Sequence, residues 1–205
     1  MRKKISLGSL TIMLVLAFIL SGISVHAAQF TADLIITGPD ADYTFKLYVK
    51  DNMYRLEKVK GGMKFPPYPT IVNRNTGLTW GLNPQVRQYV EMTNIRQTMM
   101  MNPIIGWEFM RKDMEKQPGP IETLSGYTCE TSIYHEPGKS RISAKIWISR
   151  KLDHFIKQVH YADNSDAIME LQNIKEGPVD EALFKIPQDY SKMEMPDERQ
   201  AKTEP

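Results

Sequence analysis

Cysteine is almost absent: Cys129 is the only one in 205 residues. A lone cysteine cannot close an internal disulfide, so the fold has to rest on its core and its hydrogen-bond ladder. The thiol itself is either buried as a small hydrophobe or free to pair with another molecule. Metal-ligand spacing is missing as well. Beyond residue 27 there are three histidines, His135, His154 and His160, and none has the i, i+4 or Cys/His spacing of a zinc site. They are expected at solvent-facing strand positions. The chain has no Gly-x-Ser-x-Gly elbow and no glycine loop of the length that cradles phosphate; Gly61-Gly62 reads as a turn. Carboxylates are plentiful but scattered. The expectation is therefore a protein that is not an enzyme and that holds no cofactor and no metal.

An excess of positive charge is lacking too, once the N-terminus is set aside. Arg2, Lys3 and Lys4 precede an apolar stretch from Leu10 to Leu20, Ser21-Gly22 breaks it, and Val25-His26-Ala27 supplies modest residues at a cleavage site. This order is that of a secretory signal peptide over residues 1–27, cut after Ala27 or Ala28. A membrane span needs about 20 predominantly apolar residues, and this run is shorter and seeded with Ser6, Gly8 and Ser9. No cysteine follows the cleavage site, so no lipid anchor is expected there. The formal net charge of +2 belongs to the signal: beyond it stand 23 basic and 24 acidic side chains. Nothing then points to nucleic acid or an anionic surface. The expected protein is periplasmic or secreted, with no integral membrane segment after cleavage.

What is present is alternation. Phe30, Ala32, Leu34 and Ile36 share one face of a strand, and Tyr43, Phe45, Leu47 and Val49 share one face of the next. Asp51-Asn52 suits the left-handed backbone of a tight hairpin, with a third strand over 53–59. Strands are predicted over 70–73, 78–82 and 86–92, and, in the second half, over 121–124, 127–134, 142–149, 155–161 and 167–175. That makes about eleven antiparallel strands, and a sheet of that size must curl because twist accumulates. The predicted fold is mainly β: a curved, incomplete antiparallel β-barrel over residues 28–190. A charged tail over 191–205 offers nothing to bury and is expected to be disordered.

Between the halves the pattern becomes helical, over 93–101 and 103–116. Trp107, Met110 and Met114 fall at i, i+3 and i+7, with Glu108 and Arg111 pointing elsewhere, and Pro103 suits the first helical position. This segment is expected to act as a lid that closes the concave side of the sheet over a pocket. Eleven methionines lie beyond residue 27, six of them at 92, 99, 100, 101, 110 and 114. Three readings stay open for them: core packing, a lid that conforms to variable apolar ligands, or a thioether site for Cu(I). Arg55 is either paired on the surface with a carboxylate or turned inward toward the pocket.

Several short motifs in order resemble the lipoprotein-carrier superfamily, LolA/LolB-like. They are Phe30-x-Ala-Asp, Tyr54-Arg55-Leu56-Glu57, Trp80-Gly-Leu-Asn-Pro84 leading to Tyr89, Trp147-Ile-Ser149, and Leu183-Phe184-x-Ile186-Pro187-x-x-Tyr190. With Gly126-Tyr127-x-Cys129 before the Trp-x-Ser hairpin, the chain is more similar still to an uncharacterised periplasmic branch with that fold. The resemblance implies a half-barrel with a helical lid over a hydrophobic cavity for acyl chains, and it gives Arg55 the place of an arginine that helps control the cavity. Arg55, Met99, Met100, Trp107, Met110 and Met114 are accordingly the candidate cavity and lid residues. The expected role is a carrier or binding protein for a lipid or lipoprotein acyl chain. The alternative is a non-carrier interaction or sensor module that meets an envelope protein.

Overall fold

The alternation in the first two predicted strands is realised as the centre of the sheet. The computed structural model describes residues 28–39, 41–62, 68–163 and 165–194. The expected signal peptide and residues 195–205 lie outside the described residues. Strand β1 (Gln29–Gly38) pairs with β2 (Ala41–Lys50) so that Phe30 faces Val49, Ala32 faces Leu47, Leu34 faces Phe45 and Ile36 faces Tyr43. All eight are buried. Directly opposed residues of an antiparallel pair lie on the same side, so these four pairs form one continuous apolar face. Each large side chain fully buried there contributes about 1.5–3 kcal/mol.

From β2 the chain meanders outward through β3 (Met53–Lys60), β4 (Thr70–Asn73), β5 (Thr79–Asn83) and β6 (Gln88–Met92). Asp51, at the β2–β3 turn, takes a φ of 54°, the left-handed backbone expected of that hairpin. Two short helices follow, α1 (Ile95–Met101) and α2 (Pro103–Met110). The second half adds β7 (Glu115–Pro118), β8 (Glu122–Leu124), β9 (Tyr127–His135), β10 (Ile142–Ser149), β11 (His154–His160) and β12 (Ala167–Glu176). Strand β12 returns to pair with β1, which joins the two halves into one sheet. A 3-10 turn, Glu181–Phe184, then leads to β13 (Ser191–Lys192).

The described residues thus hold thirteen strands, two more than the alternation announces, and both additions lie at edges. Strand β7 pairs with β9, with Glu115 opposite His135. Its four residues are all exposed, so no hydrophobic period marks it, and the predicted helix over 103–116 ends instead at Met110. Strand β13 pairs with β6 in parallel, which makes the sheet mixed, not purely antiparallel. It falls inside the stretch expected to be a tail: its backbone bonds, Ser191 N to Arg87 O and Met193 N to Tyr89 O, use an open edge and no buried side chain.

The sheet is open and strongly curled. Arg74, in the β4–β5 turn, reaches Asp153, in the β10–β11 turn, at 3.4 Å although the two turns belong to opposite halves of the sheet. Across the concave face, Val49, Tyr54, Val72, Thr79 and Met92 form one row in register through five strands. The opposite face carries Tyr48, Arg55, Ile71 and Trp80 in register. There a second apolar cluster joins Ile71 and Leu82 to Val179 and Phe184 of the C-terminal segment.

The helices sit on the concave face. Gly81 lets α1 approach: a Cβ there would lie 3.1 Å from both Met101 Cε and Val90 Cγ2. Asn102 separates the two helices and caps the second, its Oδ1 accepting from Ile104 N at 3.0 Å and Ile105 N at 3.4 Å while fully buried. Pro103 follows at the first helical position, where its missing N–H costs nothing. Asn102→Ala is expected to destabilise the protein by about 1–2 kcal/mol, because two buried N–H groups lose their acceptor. A urea unfolding midpoint equal to wild type would contradict this.

Candidate functional site

Between the concave face and the helices lies a cavity of about 680 Å³. Its apolar wall comes from both sides: Ile104 and Ile105 from α2, and Val72, Ile146, Ile148 and Phe155 from the sheet. Such a volume falls within the range of sites that enclose a small molecule. The helical pattern predicts a lid over a pocket at this place, and the cavity lies there. The rim carries the Arg74–Asp153 pair, whose two side chains remain partly exposed.

The side chains that line the lid are not those singled out from periodicity. Among the described residues the cavity is lined on the helix side by Ile95, Thr98, Ile104, Ile105, Glu108 and Arg111. Met100 is 73% exposed and Met110 49% exposed, while Met99 and Met114 are half-buried away from the cavity wall. Met114 lies beyond the end of α2. Trp107 is buried, but against the imidazole of His160, with ring centroids 4.5 Å apart and nearly edge to face. The reason is that α2 is apolar almost all round, so the stripe Trp107–Met110–Met114 and the stripe Ile104–Glu108–Arg111 are equally helical in spacing. Docking chose the second for the cavity.

Arg55 faces away. Tyr54 lines the cavity, and successive strand residues point to opposite faces. The Arg55 guanidinium bonds Glu57 Oε1 at 2.7 Å and the Leu183 carbonyl at 3.0 Å, tying the C-terminal 3-10 turn to the outside of the sheet. Cys129 is fully buried, its thiol donating to the Tyr127 carbonyl at 3.4 Å, and burial raises its pKa. Of its two alternatives, the structure places it in the core. The described residues contain no group of three or more His, Cys, Asp or Glu side chains able to hold a metal ion.

The polar end of the cavity centres on Arg111, a residue that the helical pattern turns outward. It is 8% exposed. Its Nη1 donates to Gln158 Oε1 at 2.7 Å and lies 3.4 Å from His160 Nε2, and the guanidinium sits 5.6 Å from the Tyr134 ring centroid. Because Arg111 can only donate, His160 presents a lone pair at Nε2 and carries its proton on Nδ1. Burial and the neighbouring guanidinium push the His160 pKa down to about 4. His154, also expected on a solvent face, is buried beside Phe30 and Phe155. Its Nδ1 lies 3.0 Å from the Phe155 carbonyl, which can only accept, so Nδ1 holds the proton. Burial drives its pKa down to about 4. His160 lies two residues from Gln158 on the face that pairs with Ala144 of β10 and Ala167 of β12, and a register slip between Trp147 and Ile148 separates it from His154.

Glu108 lies one turn before Arg111 in the same wall. Partial desolvation raises its pKa, opposed by Arg111 and Arg74, although its side chain stays exposed at the cavity mouth. The Tyr54 hydroxyl is buried near the Asn102 side chain but has no partner at hydrogen-bonding geometry, and burial raises its pKa well above the phenolic norm.

No protein-family model matches the sequence, and comparison with curated proteins found no match. Solved structures do match. An uncharacterized conserved protein from Thermus thermophilus superposes with a TM-score of 0.52 at 12% identity, over 89% of this chain and 98% of its own. MucB in the MucA/MucB complex of Pseudomonas aeruginosa superposes with a TM-score of 0.50 at 9% identity, over 80% of this chain and 58% of its own. This chain has their fold. It spans little more than half of that MucB chain. A putative outer membrane lipoprotein-sorting protein domain from Vibrio parahaemolyticus matches more loosely, with a TM-score of 0.41 at 9% identity over 85% of this chain and 95% of its own. At these identities the likeness concerns fold, and function has to be read from the cavity.

Proposed function

We propose that this chain is an envelope carrier or binding protein, non-enzymatic, that holds a lipid or lipoprotein acyl chain in the cavity beneath α1 and α2. One observation carries the reading: a cavity of about 680 Å³ with an apolar wall of isoleucine, valine and phenylalanine beside polar side chains, covered by two short helices. Burying an alkyl chain there gains about 0.8 kcal/mol for each methylene removed from water. The export signal read in residues 1–27 supports a periplasmic or secreted site of action. None of the helices in the described residues is long and apolar enough to cross a membrane. Native mass spectrometry of protein purified from the cell envelope is expected to show a co-purifying lipid; a clean apo mass with no binding of a fluorescent lipid would sink the proposal. Ile148→Trp, which fills the cavity from the sheet side, is expected to weaken lipid binding about tenfold or more. Unchanged affinity in that variant would place the ligand elsewhere.

A second reading is a non-carrier interaction or sensor module. It is favoured by the exposed apolar side chains of the lid, Ile95 at 47%, Met100 and Met110, and by the matched structure in which MucB is in complex with MucA. Here the lid would be a docking surface: Met100→Glu would abolish partner binding, and no lipid would co-purify.

A further inference from the structure

Arg111 is a buried cation without an anion. The guanidinium stays protonated at any ordinary pH, and a charge removed from water is costly unless it is paired. Its close polar partners are the Gln158 amide oxygen, the neutral His160 imidazole and the Tyr134 ring. No carboxylate among the described residues approaches it within 4.0 Å. Glu108 is near enough to favour its charge through space but forms no ion pair with it. In the same cavity the Tyr54 hydroxyl, fully buried, has no hydrogen-bond partner. One part of the wall, Ile104, Ile105, Ile146, Ile148 and Phe155, is apolar, beside the polar Thr98, Glu108, His154 and Gln158. A site with one unneutralised cation, an unused hydroxyl and an alkyl-lined wall matches one chemical class: a single-chain amphiphile with an anionic head.

We propose that the cavity binds a long-chain carboxylate, a fatty-acid anion, with its head on Arg111 and its chain along the isoleucine wall. Charge count favours a carboxylate over a phosphate. A monoanion neutralises the one guanidinium, whereas a dianion would leave excess negative charge facing Glu108 on the same wall. The planar guanidinium also suits the two oxygens of a carboxylate. This inference rests on the cavity being a lipid site and goes further by naming the head group.

The test is competition on the full chain, stripped of co-purifying lipid, against the neutral fluorescent probe N-phenylnaphthylamine. Competitors are dodecanoate, methyl dodecanoate and dodecyl phosphate, each used below its micelle-forming concentration. Dodecanoate is expected to displace the probe at a concentration at least tenfold lower than its methyl ester, and R111M is expected to bring that ratio close to one. R111K is expected to retain part of it, since the charge remains and the fork geometry is lost. Equal displacement by acid and ester in the unsubstituted protein would overturn the head-group assignment while leaving the lipid cavity standing. Stronger displacement by dodecyl phosphate would overturn the choice of carboxylate. Failure of the probe and all three competitors to bind would remove the lipid reading itself, and this proposal with it. The comparison of acid with ester needs no variant, so it stands even if R111M folds poorly.

Discussion

Trp107→Ala is expected to destabilise the protein by about 3–5 kcal/mol, the range for deleting a buried aromatic side chain. Trp107 is the main apolar anchor of α2: it is buried with Ile104 in the principal core and its ring meets His160 edge to face. The helix has eight residues and α1 only seven, too short to persist in water on their own. Their helicity therefore depends on docking. Without the indole, the polar contacts between lid and β11 are those of Arg111 with Gln158 and His160. Trp107→Phe keeps a ring against the imidazole and should cost about half as much. Urea unfolding gives the global loss, and hydrogen exchange should show amide protection across 95–111 falling further than in β1, β2 and β12. A loss below about 1 kcal/mol for the alanine variant would mean that the indole is not the anchor.

The second large effect is a fall in stability as the pH drops from about 6.5 to 4. His154 is neutral in the folded protein, with a pKa held at about 4 by burial, against 6.5 when unfolded. Above pH 6.5 neither state binds a proton at this site, and the stabilisation is complete. Between 6.5 and 4 the unfolded chain takes up a proton that the folded one does not, so stability declines by about 1.4 kcal/mol per pH unit and by about 3 kcal/mol in all. His160 acts in the same direction over the same window. Glu108 acts in the opposite direction, because its raised folded pKa makes protonation favour the native state. The variant His154→Gln removes one titration. Its unfolding free energy at pH 8 should be lower than wild type, but its decline from pH 6.5 to 4 should be shallower by about 1 kcal/mol per pH unit. Superimposable slopes would show that His154 is already charged, or exposed, in the folded state.

Neither effect could be placed from the chain alone. The histidines lie on a strand expected to expose them, and it is the packing of Phe30 against His154 and of Trp107 against His160 that covers them. Trp107 is legible as a lid residue, but its partner His160 lies 53 positions along the chain and meets it only in the folded structure. The second-half strands are visible because runs such as Ile142, Ala144, Ile146 and Ile148 alternate with other residues. The edge strands β7 and β13 are not, because their stability comes from backbone pairing with an exposed edge and leaves no mark in side-chain polarity.

The sequence alone determined the strand periodicity, the central hairpins and the position of a helical insertion over the concave face. These follow from local alternation and turn chemistry, which act within a few residues. The charge balance and the lone cysteine were likewise readable without coordinates. Only the tertiary structure decided which face of each element meets the cavity. A nearly all-apolar helix has no preferred side until it docks, and a strand arginine acquires a side only through register. Docking turned α2 so that Arg111 and Glu108 enter the cavity while Met110 leaves it. Register turned Arg55 outward to Glu57 and Leu183. The cation of the site is therefore supplied by the lid and not by the strand, because burial is a property of the packed whole, not of any segment.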